Sequence, residues 1–379
     1  MHGALKIPPP VSSHITAAET ACALGSTIAA CRDAVTQQRH GLRPLRELVS
    51  VPGLEDLLAG WIPDRRLLLG RRYGVATNAA LHVARRAVAQ AGWSSEELSD
   101  AWIFAGTSRG NAAESFGHTA FRRPVARFSA SNSLPSEIPS ALSIELGIRG
   151  PWQLLSNACA AGLDALGMAH LAVASGAAPR ALVVAVELPL IPELLMSFQQ
   201  SGLLSRNNLN APYHPETNGL QPAEAVAALT LEPPGRPAKA AMLGYWASSD
   251  AYHALAVPAD GRGLRAAWNQ ALADLPDFPW GGICPHATGT AEQGRAEQRV
   301  LQDFLTGSHA QTPLGLLKPF TGHSLGASGL LEIAILAEFL QQGEFPAASG
   351  LTTVTRDQLI FKMASGMGGH NAIVALQAL

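Results

Sequence analysis

Short apolar runs recur along this 379-residue chain, and each ends in a turn of small or polar residues that opens a helix-length segment. Trp102–Ala105 runs into Gly106-Thr107-Ser108-Arg109-Gly110, Trp152–Leu155 into Ser156-Asn157-Ala158-Cys159, and Gly281–Cys284 into Pro285-His286-Ala287-Thr288. Apolar stretches bounded this way read as buried strands. Strands that alternate with helices imply an α/β body whose sheet is mostly parallel and covered by helices. The same strand–turn–small-residue-helix rhythm runs through both halves. It points to a duplicated architecture, although no repeat is visible residue by residue.

Further strands are expected at Ala181–Val186, Ala241–Trp246 and Asn371–Leu376. Helices are expected over Arg71–Ala91, Ser133–Leu146, Ala160–Ser175, Gly263–Leu275, Ala291–Phe304 and Ala327–Gln341. The first 70 residues read as strand-poor, with one helix at Ala17–Gln38, and Pro212–Gly219 reads as a polar loop. The Pro/Gly-rich stretch Glu232–Lys239 is the best internal boundary, which divides the chain into 1–235 and 236–379.

With 47% apolar and 15% charged residues, the chain has material for a large core and is not disordered. Its 27 basic and 29 acidic residues leave no positive excess, so nucleic acid is excluded as an expected partner. Only four of the basic residues are lysines (Lys6, Lys239, Lys318, Lys362), so a lysine beside a candidate site carries more weight than it would in a lysine-rich chain. Cys22, Cys31, Cys159 and Cys284 form no CxxC pair, which argues against a disulfide framework and a cysteine-rich zinc site. No secretory leader pattern is expected, since Pro8-Pro9-Pro10 would break an apolar segment. Glu187 and Glu193, and Glu332 and Glu338, interrupt the most apolar stretches, so no membrane-spanning helix is expected. A reduced, cytoplasmic protein is the expectation.

The chemistry concentrates in three segments. Cys159 stands between a short strand and a helix rich in small residues. Unpaired amides and the helix dipole there favour a thiolate, although a cysteine at a tight junction is as often structural. His286 stands in Pro285-His286-Ala287-Thr288-Gly289-Thr290, and His323 in Lys318-Pro319-Phe320-Thr321-Gly322-His323-Ser324-Leu325-Gly326-Ala327-Ser328-Gly329. One histidine in such a turn is usually structural. Two of them, with a loop lysine and a helix-start cysteine, suit acyl transfer through a thioester: the cysteine attacks, and imidazole N–H groups stabilise an oxyanion or enolate.

These motifs, in this order, resemble the β-ketoacyl-acyl carrier protein synthases of the thiolase superfamily. Ala158-Cys159-Ala160 is similar to the family's nucleophile motif. His286 to Thr290 is similar to its His-Gly-Thr-x-Thr motif, with Ala287 for the glycine. Lys318 to Gly329 matches the second histidine motif without a gap. Gly366-Met367-Gly368-Gly369-His370-Asn371 stands where the family has Gly-Phe-Gly-Gly-x-Asn. The resemblance runs from about Ala17 to the end, and implies a thiolase-like five-layered αβαβα fold built from two similar halves.

It also implies roles. Cys159 would accept the acyl chain, and His286 and His323 would stabilise the enolate left when malonyl thioester loses CO2. Lys318 would hold the histidines in the right charge state, and Glu297, Glu332 and Asn371 would support them. The backbone N–H groups of Cys159 and Met367 would form an oxyanion hole beside Gly368, with Thr288 and Thr290 flanking the pantetheine arm. No cofactor or metal is implied. The partners implied are acyl carrier protein and a second copy or related chain, in a homodimer or heterodimer.

Departures mark a divergent member: Met367 for the gating phenylalanine, Ser365 for another, His370 for a threonine, and Ala223-Glu224-Ala225-Val226-Ala227 for a glycine-rich stretch. His370 is either an addition to the site or a surface replacement, and Pro135–Ala141 is expected to wall the acyl pocket. A non-catalytic partner subunit resembling a chain-length factor is the alternative, although Cys159, His286, His323 and Lys318 are all retained. A non-condensing decarboxylase or acyltransferase and an unrelated cysteine hydrolase explain less of the pattern.

Overall fold

The computed structural model describes residues 12–119, 128–275 and 277–379; Lys6 and the Pro8–Pro10 run lie outside them. The described residues open with strand β1, Ser13–Cys22, which takes the start of the helix expected at Ala17–Gln38. Alanines at 17, 18 and 21 favour a helix in isolation. Here β1 is sandwiched between two partner strands, and that pairing overrides local propensity. Helix α1 is confined to Ile28–Thr36, where the Thr27 side chain accepts from the Ala30 N–H.

The sheet continues with β2 (Trp102–Gly106), β3 (Trp152–Leu155), β4 (Ala181–Glu187) and β5 (Ala225–Glu232), then β6 (Ala240–Ser249), β7 (Trp280–Cys284), β8 (Leu359–Gly366) and β9 (His370–Gln377). Their order is β3-β2-β4-β5-β1-β6-β9-β8-β7. The sheet is mixed rather than mostly parallel. β2 is parallel to β3 and β4, and β8 to β7, but β5 runs antiparallel to β4 and β1, and β9 to β8 and β6. The antiparallel strands β5 and β9 follow connections too irregular or too short to read as crossovers in the sequence.

Within residues 13–232 the strands lie in the order third-second-fourth-fifth-first. The order recurs in 240–377, where the third strand shrinks to one bridge between Ile283 and Leu314. Among the described residues the longer helices that cover the first half are α2 (Val75–Ala91), α3 (Glu137–Leu146) and α4 (Ala161–Ala174). Past α5 (Pro192–Gln200), the second half supplies α6 (Arg262–Asp274), α7 (Ala291–Phe304) and α8 (Ser328–Leu340).

Side-chain alternation shows the layers. On β4, Ala181, Val183 and Ala185 face the core around α4 and α8, while Leu182, Val184 and Val186 face α2 and α3. On β9, Ala372, Val374 and Leu376 face the same central core, while Ile373 and Ala375 pack on Trp268 of α6. The two stretches of the sheet join through only three residue pairs of β1 and β6, and each packs on α4 with α8, so helices, first sheet stretch, α4 with α8, second sheet stretch and helices make five layers. The two central helices are apolar around most of their circumference, as burial on all sides requires.

Gly162 at the start of α4 allows the two central helices to touch. A Cβ there would stand 2.6 Å from the Gly326 carbonyl and 3.0 Å from Ala185 Cβ. Gly162→Ala is therefore expected to cost about 2 kcal/mol by overpacking, read as a lower urea midpoint at unchanged slope.

Candidate active site

The first turns of α4 and α8 meet at the centre of the molecule, and the candidate residues lie there. Cys159 sits in a single 3-10 turn, Ala158–Ala160, between β3 and α4. Ala158 takes φ 57° to make that turn. The facing Gly366 gives it room: a Cβ at Gly366 would stand 2.7 Å from the Asn157 carbonyl. His323 enters from the second half, between the helical turn Lys318–Thr321 and the 3-10 turn Leu325–Ala327. His286 stands one residue beyond β7, after Pro285, with Ala287 at φ 46°.

Cys159 Sγ lies 3.3 Å from His323 Nε2, and His323 Nδ1 lies 3.0 Å from Ser328 Oγ. The His286 and His323 rings stand edge to face, 5.4 Å between centroids. Ligand-capable atoms of Cys159, His286 and His323 lie within 4.8 Å of one another, and all three residues are buried.

Burial, with Glu187 as the next contributor, pushes the thiol up to about 12, against the pull of Lys318 and Arg109. Burial thus favours a thiol where the helix start favours a thiolate, and that thiol lies against a neutral imidazole. Burial likewise holds both histidines well below their ordinary range, and the Lys318 ammonium adds to it.

Behind the imidazoles, Lys318 Nζ bonds Glu332 at 2.9 and 3.1 Å. Glu297 accepts from the backbone N–H groups of His286 (2.6 Å) and Ala287 (2.8 Å) and from the Tyr213 hydroxyl (2.8 Å). Each therefore acts on the histidines through charge or backbone, without touching the thiol.

Cys159, His286 and His323 open onto a cavity of about 90 Å³ lined by Phe198, Leu325 and Met367. Thr288 and Thr290 stand on the same cavity, their hydroxyls 2.9 Å apart, as does Gly368, at φ 88° in the turn between β8 and β9. Asn371 stays behind that turn, bonded to Asp250 (3.0 Å) and Ser365 (2.7 Å). His370 is neither in the cavity nor merely on the surface. Its Nε2 lies 2.7 Å from Asp164 of α4, whose carboxylate also takes the Asn157 amide and the Tyr245 hydroxyl. That hydrogen bond raises the imidazole above its usual range. Pro135–Ala141 does not wall this cavity; Ser136, Glu137, Ser140 and Ala141 line a separate one of about 310 Å³ with Arg72, Tyr73 and Trp152.

The sequence reading missed Glu187. It ends β4, accepts from the Ser108 N–H (2.7 Å) and hydroxyl (2.6 Å), and lies against Gly326. Its signal is visible in the sequence: a carboxylate closing an otherwise apolar strand. Burial lifts it from 4.5 to about 7, opposed by the bonds from Ser108. The fold thus keeps a proton that the unfolded chain releases, and stability falls as pH rises from about 4.5 to about 7. Glu187→Gln removes that fall. Between pH 5 and 8 it is expected to gain roughly 3 kcal/mol relative to wild type in urea unfolding; identical pH dependence of the two proteins would refute this.

Family models describe two parts of the chain: the beta-ketoacyl synthase N-terminal domain matches residues 70–234, and the C-terminal domain 239–352. The actinorhodin polyketide putative beta-ketoacyl synthase 1 of Streptomyces coelicolor is 29% identical over 64% of this chain and 58% of its own length. The 3-oxoacyl-[acyl-carrier-protein] synthase 2 of Synechocystis is 29% identical over 62% of this chain and 63% of its own. The chain thus matches less than two thirds of each. Among solved structures, a type II ketosynthase complexed with its acyl-carrier protein superposes with TM-score 0.84 at 21% identity, over 98% of this chain and 100% of that one. A ketosynthase in complex with its chain length factor from Xenorhabdus doucetiae gives TM-score 0.79 at 24% identity, over 97% and 98%. With both halves matched and the five layers superposing, the chain belongs to the beta-ketoacyl synthase family.

Proposed function

We propose that the protein catalyses decarboxylative Claisen condensation, extending an acyl-acyl carrier protein with malonyl-acyl carrier protein in fatty acid or type II polyketide or polyene synthesis. One observation carries this: a thiol and two neutral imidazoles within 4.8 Å at an apolar cavity. A hydrolase needs a single base and an orienting carboxylate or amide, whereas His323 Nδ1 here meets a serine hydroxyl.

Cys159 Sγ attacks the acyl carbonyl carbon; the carrier's C–S bond breaks, and the thiol proton passes by His323 Nε2 to the leaving thiol. Malonyl thioester then takes the carrier's place. With Cys159 acylated, the His323 proton shifts from Nδ1, against Ser328, to Nε2; the C–C bond to the carboxylate then breaks, CO2 leaves, and the enolate oxygen is held by N–H groups of His286 and His323. The enolate carbon attacks the acyl carbon, the bond to Cys159 breaks, and the thiolate takes one proton from solvent. The backbone N–H groups of Cys159 and Met367 receive the tetrahedral oxyanion. Lys318, paired to Glu332, keeps the imidazoles uncharged, as a donor to an enolate must be when the step begins.

The protein is read as a cytoplasmic dimer, divided at 235/236 where the strand order begins again. β3 is an edge strand carrying a 43% exposed Trp152, a surface suited to pairing with a second copy or a related chain. Among the described residues no helix is long and apolar enough to cross a membrane.

Cys159→Ala is expected to abolish acylation, seen as the missing acyl mass on the intact protein after incubation with medium-chain acyl carrier protein. Cys159→Gln is expected to lose extension but still release CO2 from malonyl carrier protein. A chain-length-factor-like subunit would instead show no acyl mass alone, and would gain activity only with a related chain.

A further inference from the structure

One buried cation has no part in the chemistry above. Lys362 stands in the middle of β8 and is 0% exposed. Its Nζ lies 2.6 Å from Glu332 Oε2 and 3.0 Å from the carbonyl oxygen of Pro285, the residue before His286. An ammonium is placed in such a spot only when its partners offset a desolvation cost of several kcal/mol. Here it donates to the backbone carbonyl at the start of the His286 turn.

We propose that Lys362 is a positioning residue for the condensing site, the fixed cation that clamps the His286 turn from below and balances Glu332. This rests on the catalytic reading only for its consequence; the clamp itself is geometric. Glu297 grips the same turn from the other side through the N–H groups of His286 and Ala287. Two buried charges of opposite sign thus hold three consecutive residues, 285 to 287, by their backbone. Glu332 divides its oxygens between two lysines, with Oε1 nearest Lys318 and Oε2 nearest Lys362. Two ammonium groups and two carboxylates make the cluster neutral, so removing either lysine leaves net negative charge beside both imidazoles.

The groups that set the imidazole charge come from every surrounding element. Lys318 and Lys362 disfavour protonation of His286 and His323, and His323 further disfavours it at His286. Glu332 of α8 and Glu297 of α7 are bound to those lysines and to the turn, and Tyr213 is bound to Glu297. Cys284 is a buried thiol pushed up to about 12, and Cys159 faces His323 as a thiol. Glu187 lies beyond Cys159.

The test uses Lys362→Met, which removes donor and charge, and Lys362→Gln, which keeps a donor. Hydrogen exchange at the 286–287 amides, followed by mass spectrometry on the purified full chain, reads the clamp without any turnover. Protection is expected to fall about tenfold, equivalent to 1.4 kcal/mol, in Lys362→Met and less in Lys362→Gln. Unchanged protection in Lys362→Met overturns the clamp. The pH profile of CO2 release from malonyl carrier protein reads the charge. Its acid limb is expected to move up by about half a pH unit or more in both variants, because the imidazoles protonate more readily. An acid limb that stays in place while the rate falls makes Lys362 a packing residue only. Absence of turnover in wild type would sink the catalytic reading and leave the exchange result to decide the clamp. Should Lys362→Met fail to fold, Lys362→Gln decides both readouts.

Discussion

Two helices share the middle layer, and the site exists because glycines at their starts let them approach closely. Gly162 of α4 faces the Gly326 carbonyl, and Gly329 of α8 faces Leu163, where added Cβ atoms would stand 2.6 and 2.8 Å away. This contact brings Cys159, from one half, within 3.3 Å of His323, from the other. Neither half contains a complete site. The sheets outside these helices serve to press the two helix starts together, and the alternation of their side chains determines which face does the pressing.

Burial then dictates the electrostatics. Water is excluded, so the thiol and imidazoles rest uncharged, and the charges that remain are paired: Lys318 and Lys362 with Glu332, and Glu297 with the His286 turn. A site of this kind stores its polarity in fixed groups behind the reacting atoms rather than in the reacting atoms themselves. Glu187 is the exception, a carboxyl near its midpoint at neutral pH on the far side of the thiol.

Much of this is legible in the sequence. The turns after β2, β3 and β7 are recognisable because a short strand runs into Thr107-Ser108, Ser156-Asn157 and Pro285-His286; the nucleophile lies in one of them and His286 in another. β1 is not legible, since its alanines carry helix propensity and only its two neighbouring strands make it extended. β5, with Ala225, Ala227 and Ala228, and β8, with Lys362 near its middle, escape notice because neither is the clean apolar run that reveals β4. Lys362 stands out as one of four lysines, but nothing local shows that its ammonium reaches a carbonyl 77 residues away. His370 cannot be assigned from sequence for the same cause; its partner Asp164 lies on the other half's central helix.

Three of the described non-glycine residues with positive φ adjoin the reacting groups: Ala158 at 57°, Ala287 at 46° and Leu325 at 41°. A left-handed backbone at such residues costs about 1 kcal/mol or more apiece. That strain is held by the surrounding sheets and charge pairs, not by any substrate. The orientation of thiol and imidazoles is therefore settled when the chain folds, before any acyl group arrives. Such a centre has no relaxed, half-formed version of itself: loosening the framework releases all three turns at once, and competence disappears together with cooperativity rather than fading ahead of it.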